Sequence, residues 1–187
     1  EKVYLNGIHI TDAEGITTLD DIDFSSIGNV EVTKGPAGSL YGLAIAGVVN
    51  LETVRPKPGE VSLGQDLMFG SYGLQSYKTH FAIGTKNGSL LVNYGHQKSD
   101  GYIETHSASH KDFVKVMGEF KPKQKQTMNG YFGYSNSYDQ RAGELTIGQY
   151  DTLDYSGNPD YIVRDAHSAL TTFRGGLSHK YAFNKHI

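Results

Sequence analysis

The chain has 187 residues, 23 of them glycine and 13 tyrosine, with no cysteine, no tryptophan and a hydrophobic content of only 37%. That composition excludes disulfides and cysteine-bound zinc, and it suits strands with one apolar face better than a thick two-sided core. A formal net charge of −3 leaves no basic footprint, so nucleic acid is not an expected partner.

No apolar run approaches the roughly 18–20 residues of a transmembrane helix, whereas a strand crossing a bilayer needs only about 9–11 alternating residues. The chain carries no signal peptide and no initiator Met. It starts in mid-strand and stops in what reads as a turn, so a fragment of a longer polypeptide is expected.

In chain order, Val3–Leu5 and Ile8–Ile10 flank Asn6-Gly7, a strong hairpin signal. Thr11–Ile22 is polar and acidic and reads as a connector with room for one helical turn. Two apolar runs follow, Val30–Val32 and Val48–Leu51, joined by a segment with glycines at 35, 38, 42 and 47. This is a β-turn-β unit in which small residues let backbones pass closely. Arg55-Pro56-Lys57-Pro58-Gly59 is the clearest boundary, because two prolines forbid helix and interrupt a strand ladder.

Beyond it the pattern is a β-meander of six strands with period-2 alternation. Their apolar faces carry Val61, Leu63, Leu67 and Phe69; then Tyr77, Phe81 and Ile83; then Leu90, Val92 and Tyr94. Val114, Val116 and Phe120 mark the fourth, Met128, Phe132 and Tyr134 the fifth, and Phe173 and Leu177 the sixth. Connections around Lys86–Gly88 and Lys121–Lys125 are short. Those at Ser99–Lys111 and Asn136–His167 are long, as in an outer-membrane barrel with brief periplasmic turns and extended outer loops. The short Gly70–Gln75 joint is the one discordant connection.

These residues resemble the TonB-dependent outer-membrane receptors. Val30 through Gly42 and Ala46 through Leu51 match the pattern that ends their plug domain nearly position by position, including Glu31, Lys34, Gly35, Pro36, Tyr41, Gly42, Gly47 and Asn50. Val3-Tyr4-Leu5-Asn6-Gly7 looks like the family's upstream strand, with Asn6 where Asp is usual. Gly70–Gly73 and Ser99–Tyr102 look like the ends of the first and third barrel strands. A departure falls at Leu43-Ala44-Ile45-Ala46, bulkier than the family's glycine-rich run.

The resemblance implies a mainly β fold. Residues 1–58 would be the C-terminal part of a plug domain, and 59–187 the first six or so strands of a transmembrane β-barrel of about 22 strands. It also implies energy-coupled import of a scarce ligand across the outer membrane of a Gram-negative bacterium. The partners would be a TonB-type coupling protein, outer-membrane lipid and an extracellular ligand such as a ferric siderophore, with no catalytic step and no cofactor.

Candidate ligand contacts lie in the long connections: Tyr102, Glu104, His106, His110 and Asp112 in one, Arg141, Tyr150, Tyr155, Tyr161 and Arg164 in the other. Tyrosine and arginine suit aromatic or anionic ligands, although tyrosine also furnishes the interfacial girdles of such barrels. His106 and His110 could chelate a metal if their segment were helical, the alternative being solvated loop histidines, and no metal site is assigned.

Ala142 through Tyr150 looks like a "PGxLTxxQ" stretch of ferric-siderophore receptors, with Ala142 for Pro. Phosphate-loop, nucleophile-elbow and HExxH signatures are absent. Two other readings stay open: a glycan or vitamin importer of the same family, and a soluble all-β binding or adhesion module.

Overall fold

The computed structural model describes residues 1–12, 14–17, 22, 26–36, 42 and 44–183. It contains two β-sheets. The smaller is built from β1 (Lys2–Leu5), β2 (Ile8–His9), β3 (Ile27–Lys34) and β4 (Gly47–Thr53), in the order β2-β1-β4-β3. Asn6 and Gly7 both take positive φ, 50° and 78°, the backbone that a two-residue hairpin between β1 and β2 requires. β3 and β4 form the expected antiparallel pair, whereas β1 pairs with β4 in parallel, Val3 opposite Val49 and Leu5 opposite Leu51.

The larger sheet is a pure antiparallel meander: β5 (Val61–Phe69), β6 (Gln75–Thr85), β7 (Gly88–Ser99), β8 (Ser109–Phe120), β9 (Gln126–Gln140) and β10 (His167–Tyr181). The six strands fall where the alternation placed them, but several run further. β9 continues through polar Ser135–Gln140, and β8 takes in His110 and Asp112, which the sequence had assigned to a loop. Their side chains are polar, yet the backbone ladder with the neighbouring strands persists to Ser109–Asp139 and His167–Gln140.

The two faces of this sheet differ in kind. On one, paired rows such as Leu63–Phe81–Val92–Val116–Phe132 and Tyr94–Val114–Tyr134–Phe173 build an apolar band. No part of the small sheet covers it, and Leu63, Phe132 and Phe173 are 74%, 48% and 68% exposed. The opposite face alternates small, polar and charged residues, among them Gly84, Asn93, Gly95, Lys115, Gly133 and Ser135.

The small sheet packs on that second face. Val3, Leu5 and Leu51 bury against Leu91 and Met117, with Ala82 and Tyr131 at the margin. Each such burial is worth about 1.5–3 kcal/mol. A further buried pair, Ala44 and Val48, sits on the far side of the small sheet.

Glycine makes the approach possible at two points. A Cβ on Gly176 would stand 2.3 Å from the Ile8 side chain, and one on Gly84 would stand 2.2 Å from the Lys57 carbonyl oxygen. The segment that joins the sheets therefore lies directly on β6, held by Gly59 N–H to Gly84 O at 2.8 Å and Gly84 N–H to Glu60 O at 2.9 Å. Beside it, Arg55 reaches Glu119 of β8 at 3.3 Å, and Lys121 binds the same carboxylate at 2.8 Å.

Candidate functional site

The connections at one end of the large sheet are short, residues 86–87 and 121–125. At the other end stand L1 (70–74), L2 (100–108) and L3 (141–166). L3 contains two helices that were not foreseen, α1 (Ile147–Asp151) and α2 (Pro159–Val163). Both have legible starts. Thr146 and Gln149 form a reciprocal capping box on α1, and Asn158 caps α2 with Pro159 in its first turn.

L2 and L3 form one body. Ile103 of L2 and Ala142 of L3 are buried together, and a Cβ on Gly157 would lie 3.2 Å from Ile103 and 3.3 Å from Ile162. Glu104 N–H donates to Tyr155 O at 2.8 Å, and the Thr105 hydroxyl donates to Ser156 O. L1 joins through Asp100 N–H to Tyr72 O at 2.8 Å. Within L3, Gln149 Nε2 donates to Gly157 O at 3.0 Å and Asn158 N–H to Ala142 O at 2.7 Å. Hydrogen bonds from the Ser156 hydroxyl and backbone N–H hold the Asp154 carboxyl below the usual carboxylate value.

This geometry sorts the candidate residues. Tyr102 and Tyr150 project from the loop body, about two-thirds exposed, and Arg141 and Arg164 are also exposed. His106 is half-buried instead, its side chain 9% exposed, with Nε2 2.7 Å from Ala166 O and 3.7 Å from an Asp165 carboxylate oxygen. His110 belongs to β8, on the face carrying the apolar band, stacked on Tyr138 at 5.6 Å. The segment between them is loop and strand, so the shared helical face that chelation would need does not form. Among the described residues no group of three His, Asp or Glu side chains could hold a metal ion.

In the 142–150 stretch, Thr146 and Gln149 are consumed by the fold of L3. Gly143, at φ 74°, is packed so closely that a Cβ would meet Asn158 and Tyr161 below 3 Å. Glu144, Ile147 and Tyr150 remain to face outward.

The described part of the glycine-rich stretch includes β3 and β4. Glu31 and Lys34 are exposed on β3 and pair with Asn50 and Gly47. Gly35 and Gly42 take φ 85° and 67°, and Pro36 is exposed. A Cβ on Gly47 would stand 2.5 Å from Thr33 O, so no other residue fits there. Tyr41 lies outside the described residues.

Residues 1–48 match the family model described as the TonB-dependent receptor plug domain. Over 164 residues, 84% of this chain, the sequence is 32% identical to the vitamin B12 transporter BtuB of Vibrio vulnificus. The chain belongs to the TonB-dependent receptors.

It spans about a quarter of that curated relative, 25% of its length. Among solved structures, the unliganded ferric citrate transporter FecA overlays 97% of this receptor chain at a TM-score of 0.70 and 18% identity, using 28% of its own length. The Pseudomonas aeruginosa receptor FpvA, bound to a ferric pyoverdine, overlays 98% at 0.68 and 14%, using 26% of its own. At those identities the likeness is one of fold: a four-stranded sheet lying on one face of a six-stranded antiparallel meander.

Proposed function

We propose that the chain forms the end of the plug (residues 1–58) and the first strands of the wall (59–187) of a Gram-negative outer-membrane importer. Its cargo would be a scarce metal chelate, drawn in when a TonB-type protein acts on the plug. The observation that carries this reading is the asymmetry of the six-stranded sheet. One face is a bare apolar band suited to outer-membrane lipid, and the other is a small and polar surface that holds the plug. Transport needs no catalytic group, so affinity must come from L1–L3 and the lumen.

The charge on the lumenal face favours a ferric siderophore or a similar anionic chelate. By register Lys78, Lys111, Lys115, Arg174 and Lys180 share that face with Asp66, Glu119 and Asp139. The loop body adds Arg141, Arg164 and exposed tyrosines, groups that bind carboxylate and aromatic chelators. A second reading, a corrinoid cargo, is favoured by the identity with the vitamin B12 transporter.

Cells expressing the full-length receptor decide between them. Energised uptake of labelled ferric siderophore, abolished by removing the coupling protein, supports the first reading. Uptake of cobalamin with no response to ferric chelates supports the second. Import of neither overturns both.

A further inference from the structure

The chain carries a net charge of −3, yet its basic residues are unevenly placed. Six of its 17 lysines and arginines fall in the linker (residues 55–60) and the two short turns (86–87 and 121–125). They are Arg55, Lys57, Lys86, Lys121, Lys123 and Lys125, against one acid in the same segments, Glu60. The fold joins these segments into a single rim. The linker lies on Gly84 at the end of β6, Lys121 N–H donates to Asn87 O at 2.6 Å, and Ala182 N–H, just past β10, donates to Lys125 O at 2.9 Å. From β6 to β10 the rim crosses five strands, a length of roughly 20 Å.

Part of this charge is met within the chain. Arg55 and Lys121 share the Glu119 carboxylate, and Glu60 accepts from the Lys57 backbone N–H at 2.7 Å. Lys57, Lys86, Lys123 and Lys125 are exposed, and among the described residues none of their ammonium groups has an ion-pair partner. Four unmatched cations along one edge repel one another, which a polyanion would relieve. The three segments contain no aromatic or large aliphatic side chain, so the rim lacks the apolar centre of a protein–protein interface. Lys57 belongs to the segment lying over Gly84, on the face opposite the apolar band, so the row of charges does not follow a lipid surface.

We infer that this rim binds a carboxylate-bearing polymer of the periplasm, the kind that the peptide stems of the cell wall present, through Lys57, Lys86, Lys123 and Lys125. The inference rests on the membrane-spanning reading above, which turns the short connections toward the periplasm. Lysine suits such a partner, because an ammonium on a flexible stem is a point charge that needs no fixed geometry from the carboxylate it meets. The contact is electrostatic and exposed, so salt must weaken it.

The test uses the full-length receptor in neutral detergent, sedimented with purified, protein-free cell-wall sacculi. Wild type should sediment with them at about 0.01 M salt and be released at about 1 M, as the Debye length falls from about 30 to about 3 Å. Replacing all four lysines by Gln should weaken binding about tenfold, and amidating the carboxyl groups of the sacculi should do the same to wild type. Lys98→Gln with Lys111→Gln, at the loop end of the sheet, should bind as wild type does. Equal sedimentation of wild type and the four-lysine variant overturns the site, as does binding that survives amidation. If wild type ignores sacculi and the four-lysine variant instead loses anionic lipid from nanodiscs, the rim is a lipid contact and the inference falls. Orientation is read separately from Lys86→Cys, the sole thiol in this stretch of chain. Its labelling from outside intact cells overturns the membrane reading, whereas protection without sacculus binding overturns this inference alone.

Discussion

Asn6 and Thr53 hold each other by two hydrogen bonds, Asn6 Nδ2 to Thr53 Oγ1 at 2.9 Å and Thr53 N–H to Asn6 Oδ1 at 3.0 Å. The hairpin turn at the start of the chain is thereby fixed to the last residue of β4, at the point where the small sheet gives way to the linker. Asn6 N–H also donates to Leu51 O at 2.9 Å. Replacement by Ala would strand the buried Thr53 N–H and disfavour the positive φ, at a cost of about 1–3 kcal/mol. Asp should be nearly neutral, because the Thr53 hydroxyl can turn and donate, which explains how Asn can stand where the family uses Asp. Denaturant unfolding of the plug in the detergent-solubilised receptor checks both substitutions.

Gly84 gives a second prediction, at the linker. Ala there would drive a Cβ to 2.2 Å from Lys57 O and 2.6 Å from Pro56 O, both backbone atoms that cannot swing aside. Both Gly84 backbone bonds to residues 59 and 60 must lengthen, and the expected cost is about 1–3 kcal/mol. Gly118→Ala is the control, since its nearest neighbour would be Ser89 O at 3.9 Å. Limited proteolysis at Lys57 should accelerate in the first variant and not in the second.

On the membrane-spanning reading, the two faces of the six-stranded sheet make opposite predictions for the same substitution. Val116 lies in the middle of the apolar band, and an Arg there should cost about 2–4 kcal/mol of folding into a bilayer. Ser135, on the face that carries the small sheet, should accept Arg with no such bilayer penalty. Refolding into liposomes measures the difference. Equal tolerance at Val116 would favour the soluble-module alternative.

Much of this fold was legible because a strand with one apolar face must alternate along its length. Leu63, Phe81, Val92, Val116 and Phe132 therefore announce five strands and their register. Strand ends were not legible, since above the band both faces are polar and only the backbone ladder continues, as in Ser135–Gln140. The parallel pairing of β1 with β4 joins residues some 46 apart, a contact no local pattern encodes. The His106–His110 spacing was legible but uninformative, because an interval of four means proximity only within a helix. The 142–150 stretch resembles a siderophore-receptor segment, and its Thr146 and Gln149 also shape L3.

Asp154 links pH to the order of L3. Its folded pKa is depressed, first by the Ser156 hydroxyl and then by the Ser156 backbone bond, which is 3.0 Å long. The stabilisation is therefore complete above the ordinary carboxylate pKa and is lost as pH falls through the depressed folded value. Amide exchange at Ser156 and Gly157, corrected for intrinsic rates, should stay flat from neutral down to about pH 5 and rise at lower pH in wild type. Asp154→Asn should flatten that acid response.

Gln149 and Tyr150 are neighbours in different settings, which gives a test of the proposal that L3 meets the cargo. Gln149 accepts from Thr146 N–H at 3.0 Å through Oε1 and donates to Gly157 O through Nε2, so it spans the loop. Tyr150 is 67% exposed and makes no side-chain hydrogen bond among the described residues. Gln149→Ala should loosen L3 by about 1 kcal/mol and weaken cargo binding indirectly, through the cost of reordering the loop. Tyr150→Ala should leave loop protection unchanged and lower affinity by about 1–2 kcal/mol if its ring meets the cargo. Hydrogen exchange over residues 141–166 alongside titration with the transported ligand separates the two effects. Loss of loop protection in the Tyr150 variant, with no further change in affinity, would make that ring part of the scaffold and shift the cargo contacts to Tyr102, Arg141 and Arg164.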